Sequence, residues 1–136
     1  MTLDTQKSLK FQVYDEVDVA YAALGAKKYA QAIGFNSPSQ YMISTAVSEL
    51  ARNIYVYAKK GTVLLNYVDE EFKLGMQVIA DDCGPGIVDI EKALLDTYST
   101  GGTMGVGLPG TKRLMDEFKI ESIVGKGTKV TIVKWL

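Results

Sequence analysis

Apolar residues recur along this chain with the period of strands and of helices, in an order that a parallel doubly wound sheet cannot use. Leu9, Phe11 and Val13 alternate with Lys10, Gln12 and Tyr14, which predicts a half-buried strand over residues 8–14. From Glu16 to Ile33 the spacing turns helical, with Val17, Tyr21, Leu24, Tyr29 and Ile33 as apolar positions and Gly34 where the residue after a helix belongs. In Ser37-Pro38-Ser39-Gln40, Ser37 is expected to cap a second helix, with Pro38 first inside it and Gln40 completing a capping box. That helix carries Ile43, Val47, Leu50, Ile54 and Ala58 as a core stripe and ends at Lys59-Lys60-Gly61, cations at the negative end of its dipole.

Residues 62–68 and 72–80, separated by Asp69-Glu70-Glu71, read as a hairpin. After Gly84-Pro85-Gly86 the pattern predicts a short helix over 87–98, a glycine-rich stretch and a helix over 111–118. Residues 119–125 and 129–135 flank the turn Gly125-Lys126-Gly127-Thr128 as a closing hairpin. The order β-α-α-β-β-α-α-β-β predicts an α+β fold, a two-layer α/β sandwich in which a mixed, mostly antiparallel sheet carries its helices on one face. With 136 residues and no repeat or linker-like tract, a single domain over 1–136 is expected.

Composition excludes several chemistries. There is no His, which removes imidazole from catalysis and from any zinc site, and the single Cys83 excludes an internal disulfide and an all-Cys metal site. What remains for catalysis is carboxylates, Lys, Tyr and a metal held by oxygen. A net charge of −1 provides no footprint for nucleic acid or an anionic membrane. No apolar run approaches the roughly 18 residues of a spanning helix. The opening MTLDTQKSLK lacks the apolar segment of a signal peptide, so a cytoplasmic location is expected.

Two constellations carry candidate chemistry. Glu49 and Asn53 are four residues apart, on one helix face beside the core stripe. As surface residues they would pair with a nearby cation and with water. Beside a bound phosphate, Asn53 would offer a carbonyl oxygen to Mg²⁺ and Glu49 would take a proton from a hydroxyl. The second is Val78-Ile79-Ala80-Asp81-Asp82-Cys83-Gly84-Pro85-Gly86, an apolar strand ending on two acids and a turn. A carboxylate there repels phosphate, so its guest is a donor: a backbone N–H, a cation or a nucleobase amine. Phosphate has a better place at Gly105, Gly107 and Gly110, which lead into a helix whose first N–H groups can hold anionic oxygens. Cys83 reads as a small turn residue.

The order of these pieces supports a resemblance. ELARN (49–53), DCGPG (82–86), GVGLPG (105–110) and GT (127–128) resemble the nucleotide-binding motifs of the Bergerat-fold (GHKL) ATP-binding superfamily, over residues 41–132. Within it, SELARNIYVYAKKG, ADDCGPGI and GVGLPGTKRLMDEFKIES are similar to the stressosome switch kinases, serine/threonine kinases of the anti-sigma-factor type. The resemblance implies that Asp82, rather than Asp81, accepts from the adenine amino group. It further implies that Thr128 supports the same edge of the base and that Gly84 and Gly86 let the backbone approach the ring. Gly105, Val106, Gly107, Leu108 and Gly110 would cradle the phosphates, with Asn53 on Mg²⁺ and Glu49 as catalytic base.

It also implies ATP and Mg²⁺ as cofactors, a STAS-domain antagonist as substrate within a stressosome complex, and a PP2C-type phosphatase activated by binding. Relatives carry basic residues after the Asn and in the lid. Here Ile54-Tyr55-Val56 follows Asn53, and residues 97–107 contain no Lys or Arg. The γ-phosphate is left to Mg²⁺ and backbone amides, to Lys112 or Arg113, or to a partner. A histidine-kinase-type catalytic module and a non-catalytic, nucleotide-gated binding module are the alternatives. The kinase acting on Ser or Thr is preferred, because the chain holds no phosphate-accepting His and Glu49 suits a hydroxyl acceptor.

Overall fold

The computed structural model describes residues 8–95 and 107–136. The chain runs β1 (Leu9–Val13), α1 (Glu16–Ile33), α2 (Ser37–Asn53), a π-helical turn (Ile54–Ala58), β2 (Gly61–Glu70), β3 (Lys73–Asp82), α3 (Ile90–Ala93), α4 (Gly107–Leu114), β4 (Glu117–Ile123) and β5 (Gly127–Trp135). The sheet order is β1-β2-β3-β5-β4, and all four neighbouring pairs are antiparallel. An α+β sandwich with a mixed, mostly antiparallel sheet was expected, and its four pairings are all antiparallel. β3 and β4 do point the same way, as a strand-helix-strand crossing suggests, but β5 returns between them and converts one parallel pairing into two antiparallel ones.

One face of the sheet is built by alternation. Val63 and Leu65 of β2, Met76, Val78 and Ala80 of β3, and Val130 and Ile132 of β5 are buried, as a period of two requires when one face is covered. They meet Ile43, Ala46, Val47, Leu50, Ala51 and Ile54 in one core, so the stripe expected for the second helix is the one buried. α1 differs from expectation. Its buried positions are Ala22, Ala26, Tyr29 and Ala30, while Val17, Tyr21 and Leu24 are 57%, 60% and 49% exposed. Small side chains let α1 lie close against α2, and the larger apolar residues are turned away from that contact.

Caps set the boundaries. Asp15 accepts from the Asp18 N–H, and Asp18 accepts in turn from the Asp15 N–H, a reciprocal box at the start of α1. α2 is capped by Asn36 rather than the expected Ser37: the Asn36 Oδ1 accepts from the Ser39 N–H at 2.9 Å. Gln40 is buried and donates to the Phe35 carbonyl at 2.8 Å, so it anchors the preceding turn and completes no box. The helix expected over 111–118 is α4, which begins earlier and ends at Leu114, leaving Glu117 and Phe118 to β4. Lys134 of β5 donates to the Leu114 carbonyl at 3.1 Å and so closes the C-terminus of α4. Of the helix expected over 87–98, Ile90–Ala93 is helical and residues 96–98 lie outside the described residues.

Candidate functional site

The site forms where α2 gives way to the π-helical turn. Asn53 is the last residue of α2, half-buried, and its side chain makes no capping bond to the turn that follows. Single π turns widen a helix locally and often stand at functional positions. This one is packed from below. A Cβ on Gly61 would lie 2.8 Å from Ile54 Cγ2, and one on Gly84 only 2.5 Å from Ala58 Cβ. Gly61 pairs with Asp82 across β2 and β3, so the helix end, the strand end and the Asp82–Gly84 turn are in direct contact.

Asp81 and Asp82 are neighbours in an extended strand and therefore face opposite sides of the sheet. Asp81 is exposed, whereas Asp82 is half-buried. Oδ1 of Asp82 accepts from the Gly84 N–H at 2.8 Å and from the Thr128 N–H at 3.2 Å. One oxygen thus fastens its own turn and the beginning of β5. Both bonds go to Oδ1, which leaves Oδ2 for a further donor. Gly86 has φ +80°, and a Cβ there would lie 2.5 Å from the Ile123 carbonyl oxygen. Gly125 N–H donates to the Pro85 carbonyl at 2.8 Å, so the Gly-Pro-Gly turn and the β4–β5 turn are laced together.

Gly127 carries the tightest approach. With φ +139°, any Cβ there would overlap the Asp82 carbonyl oxygen. Gly127→Ala should therefore cost about 2–5 kcal/mol, from left-handed strain together with overpacking. It should also loosen the Thr128 N–H from Asp82. A urea midpoint unchanged by the substitution would contradict this packing.

Glu49 is 7% exposed, and its Oε1 accepts from the Gly107 N–H at 3.1 Å. Gly107 is the first residue of α4, so a buried carboxylate sits on the positive end of that helix. Thr111, fully buried, donates its hydroxyl to the Gly107 carbonyl at 2.9 Å. The start of α4 is thereby held on both sides of one residue. Gly107 opens the helix, while Leu108 and Gly110 lie within it instead of leading into it as expected. Gly105 and Val106 lie outside the described residues. Lys112 and Arg113 occupy the last turn of α4, at the end away from Gly107, where their charge complements the dipole.

The structure brings Asp82, Gly84, Gly86 and Thr128 to one corner, with Ile54 and Ala58 of the turn after Asn53 packed on it, and Glu49 to the Gly107 end of α4. Sequence reasoning did not single out Thr111 or Ser122. Ser122 stands directly opposite Thr128 in the β4–β5 register, and its Oγ accepts from the Ile87 N–H at 2.7 Å. A tighter reading of the closing hairpin would have found it. Thr111 gave no local signal, since its value comes from burial.

An antiparallel sheet with its helices on one face, a strand-terminal Asp held by a Gly-Thr pair, and a glycine-led helix describe an ATP-binding domain of the histidine-kinase-like class. The model of the histidine kinase-like ATPase domain matches residues 7–134, and the chain belongs to that family. Its relatives include the serine/threonine-protein kinase RsbT of Bacillus subtilis (strain 168), 46% identical over 125 residues, which are 92% of this chain and 94% of the relative. The anti-sigma F factor of Clostridium acetobutylicum is 30% identical over 138 residues, covering 97% and 94% of the two chains. Among solved structures, the RsbU and RsbW domains of a Mycobacterium tuberculosis protein share the fold with a TM-score of 0.63 and 17% identity, over 94% of this chain and 32% of that one. The mycobacterial sensor histidine kinase MprB does so with a TM-score of 0.55 and 13% identity, over 96% and 97%.

Proposed function

We propose that this chain is an ATP-dependent protein serine/threonine kinase that phosphorylates a STAS-domain antagonist in a partner-switching pathway. The observation that carries the reading is Glu49: a buried carboxylate one helical turn before Asn53, tied to the glycine-led N-terminus of α4. That contact supports reading Glu49 as a proton acceptor beside backbone amides suited to phosphate. The 46% identity to a serine/threonine-protein kinase supports the same activity.

The residues present fit the nucleotide. Asp82 offers Oδ2 to the adenine amino group, Thr128 supports the same edge, and Gly84 and Gly86 lie where side chains have no room. Gly105, Val106, Gly107, Leu108 and Gly110 are the phosphate loop of this reading. Among the described residues no three His, Cys, Asp or Glu side chains gather as a metal site. Asn53 is the protein ligand this reading assigns to Mg²⁺, an ion that keeps most of its shell as water and phosphate oxygens. When bound, Mg²⁺ supplies charge neutralisation at the phosphates. The chain's own part is to orient the base edge through Asp82, to present amides to the phosphates, and to accept the hydroxyl proton at Glu49.

Among the described residues no helix is long and apolar enough to cross a membrane, and a cytoplasmic setting belongs to this reading. So do a stressosome complex that holds the STAS protein before transfer and a PP2C-type phosphatase bound afterwards. A new dianionic group at a docking surface repels a partner unless a cation answers it, and residues 97–107 carry none. The test is incubation with Mg-ATP and a candidate STAS protein, followed by phosphosite mapping and a pull-down before and after transfer. An alkali-labile, acid-stable phosphate on Ser or Thr, with weakened binding after transfer, is expected. An acid-labile, alkali-stable phosphate would identify a histidine kinase instead, and unchanged binding would remove the switch.

A further inference from the structure

Three contacts converge on one hydroxyl. Ser122 Oγ accepts from the Ile87 N–H at 2.7 Å, lies 3.2 Å from the Gly127 carbonyl oxygen, and lies 2.9 Å from Thr128 Oγ1. A serine hydroxyl has one hydrogen and two lone pairs. The Ile87 N–H takes one lone pair. The Gly127 carbonyl can only accept, so all three contacts are satisfied together only when it takes the Ser122 hydrogen. The contact with Thr128 is then satisfied in one direction, with Thr128 donating its hydrogen to the second lone pair of Ser122. If Thr128 did not donate, two oxygens would face each other lone pair to lone pair at hydrogen-bond distance. Thr128 Oγ1 is left with acceptor capacity alone for anything outside the hairpin.

We propose that Ser122 is a positioning residue that fixes the direction of the Thr128 hydroxyl and thereby sets the base specificity of the nucleotide pocket. The proposal rests on the reading of Asp82 and Thr128 as the adenine edge. With Ser122 in place, that edge presents two acceptors, Asp82 Oδ2 and Thr128 Oγ1. An exocyclic amino group has two hydrogens to give them, whereas the carbonyl of hypoxanthine or guanine at the same ring position has none. A site built to receive a donor rejects the analogue lacking it, because its own polar groups are then left unpaired. Without the Ser122 hydroxyl, Thr128 can turn and donate to a carbonyl, and half of the discrimination disappears. The register supports a role at this pair: Ser122 and Thr128 are direct cross-strand partners, and the same hydroxyl also holds Ile87, next to Gly86.

The experiment compares ATP with ITP, which differ in this part of the base, by calorimetry on the full chain. The wild type should prefer ATP by about 25- to 100-fold. Ser122→Ala should narrow the ATP-to-ITP ratio roughly five- to tenfold, mostly through a gain for ITP, and Ser122→Thr, which keeps the hydroxyl, should restore it. A purely structural serine would weaken both nucleotides alike and leave the ratio unchanged, and that result overturns the proposal. Should Ser122→Ala not fold, Ser122→Cys keeps the size while its sulfur accepts only weakly, and the ratio should narrow again. A wild type that binds ATP and ITP equally would overturn the adenine-edge reading itself, an outcome distinct from a preference that Ser122→Ala leaves intact.

Discussion

Asn53→Ala should abolish Mg²⁺-dependent nucleotide binding and phosphoryl transfer together, by about 10²-fold or more in each. Asn53 closes α2 where the backbone widens into the π-helical turn, and its side chain does not cap that turn. It is half-buried and directly precedes Ile54, which packs on Gly61, and its amide makes no capping bond. Alanine at a helix end is well tolerated, and the turn is held by Ile54 on Gly61 and Ala58 on Gly84, contacts the substitution does not touch. Loss of function should therefore come without loss of fold. The effect has a signature that separates it from general damage. Binding that survives in EDTA depends on the base edge at Asp82 and Thr128 and should be nearly unchanged, while the increment added by Mg²⁺ disappears. Asn53→Asp keeps an oxygen ligand and should retain part of that increment, reduced by repulsion between its charge and the phosphates. An Asn53→Ala protein that gains as much affinity from Mg²⁺ as the wild type would remove Asn53 from the metal.

Which parts of this arrangement were legible depends on the range of the interactions that made them. Strands were read from alternation because one face of the sheet is covered, and the π-helical turn escaped because Ile54 and Ala58 keep a helical spacing through it. Of the apolar stripe assigned to α1, Tyr29 and Ile33 reach the core while Val17, Tyr21 and Leu24 do not, for a physical reason. Large residues dominate a periodicity, yet close helix packing selects the alanines, which hardly stand out in it. α4 was placed too late because Gly107 and Gly110 read as loop, each glycine in a helix costing about 1 kcal/mol relative to alanine. What offsets that cost is tertiary: Glu49 on Gly107 from 58 residues away, Thr111 packed inside, and Lys134 on the Leu114 carbonyl. No local window contains those contacts. The N-cap of α2 was missed by one residue because Asn36 and Ser37 are both good caps, and the choice falls to the one placed to reach the Ser39 N–H. At the site, Glu49, Asn53 and Asp82 were visible as residue types at telling spacings. Ser122 was not, because its meaning depends on the register that sets it opposite Thr128.

Glu49→Gln should lower phosphoryl transfer by about 10²–10⁴-fold while nucleotide binding is kept. The observed contact with Gly107 and the proposed proton-accepting role would fall to different oxygens of the carboxylate. Oε1 accepts the Gly107 N–H and ties α4 to α2, whereas Oε2 takes no part in that bond. Glutamine keeps a carbonyl oxygen for Gly107 and nearly the same shape, so α4 stays in register. Its hydrogen bond is weaker than one to a charged group, a loss of roughly 1 kcal/mol in stability. What it cannot do is accept a proton from an attacking hydroxyl. Glu49→Ala is the necessary companion, because it removes both tasks and leaves the Gly107 N–H without its partner, a penalty of about 1–3 kcal/mol. If Glu49 only holds the helix, the glutamine protein transfers phosphate at nearly the wild-type rate, and the alanine protein loses binding and transfer together as the phosphate loop loosens. If Glu49 is the base, the glutamine protein already loses transfer with binding intact, and alanine adds a binding defect to it. The two patterns differ in the glutamine protein alone, where single-turnover transfer to the STAS acceptor, measured at saturating Mg-ATP, decides between them.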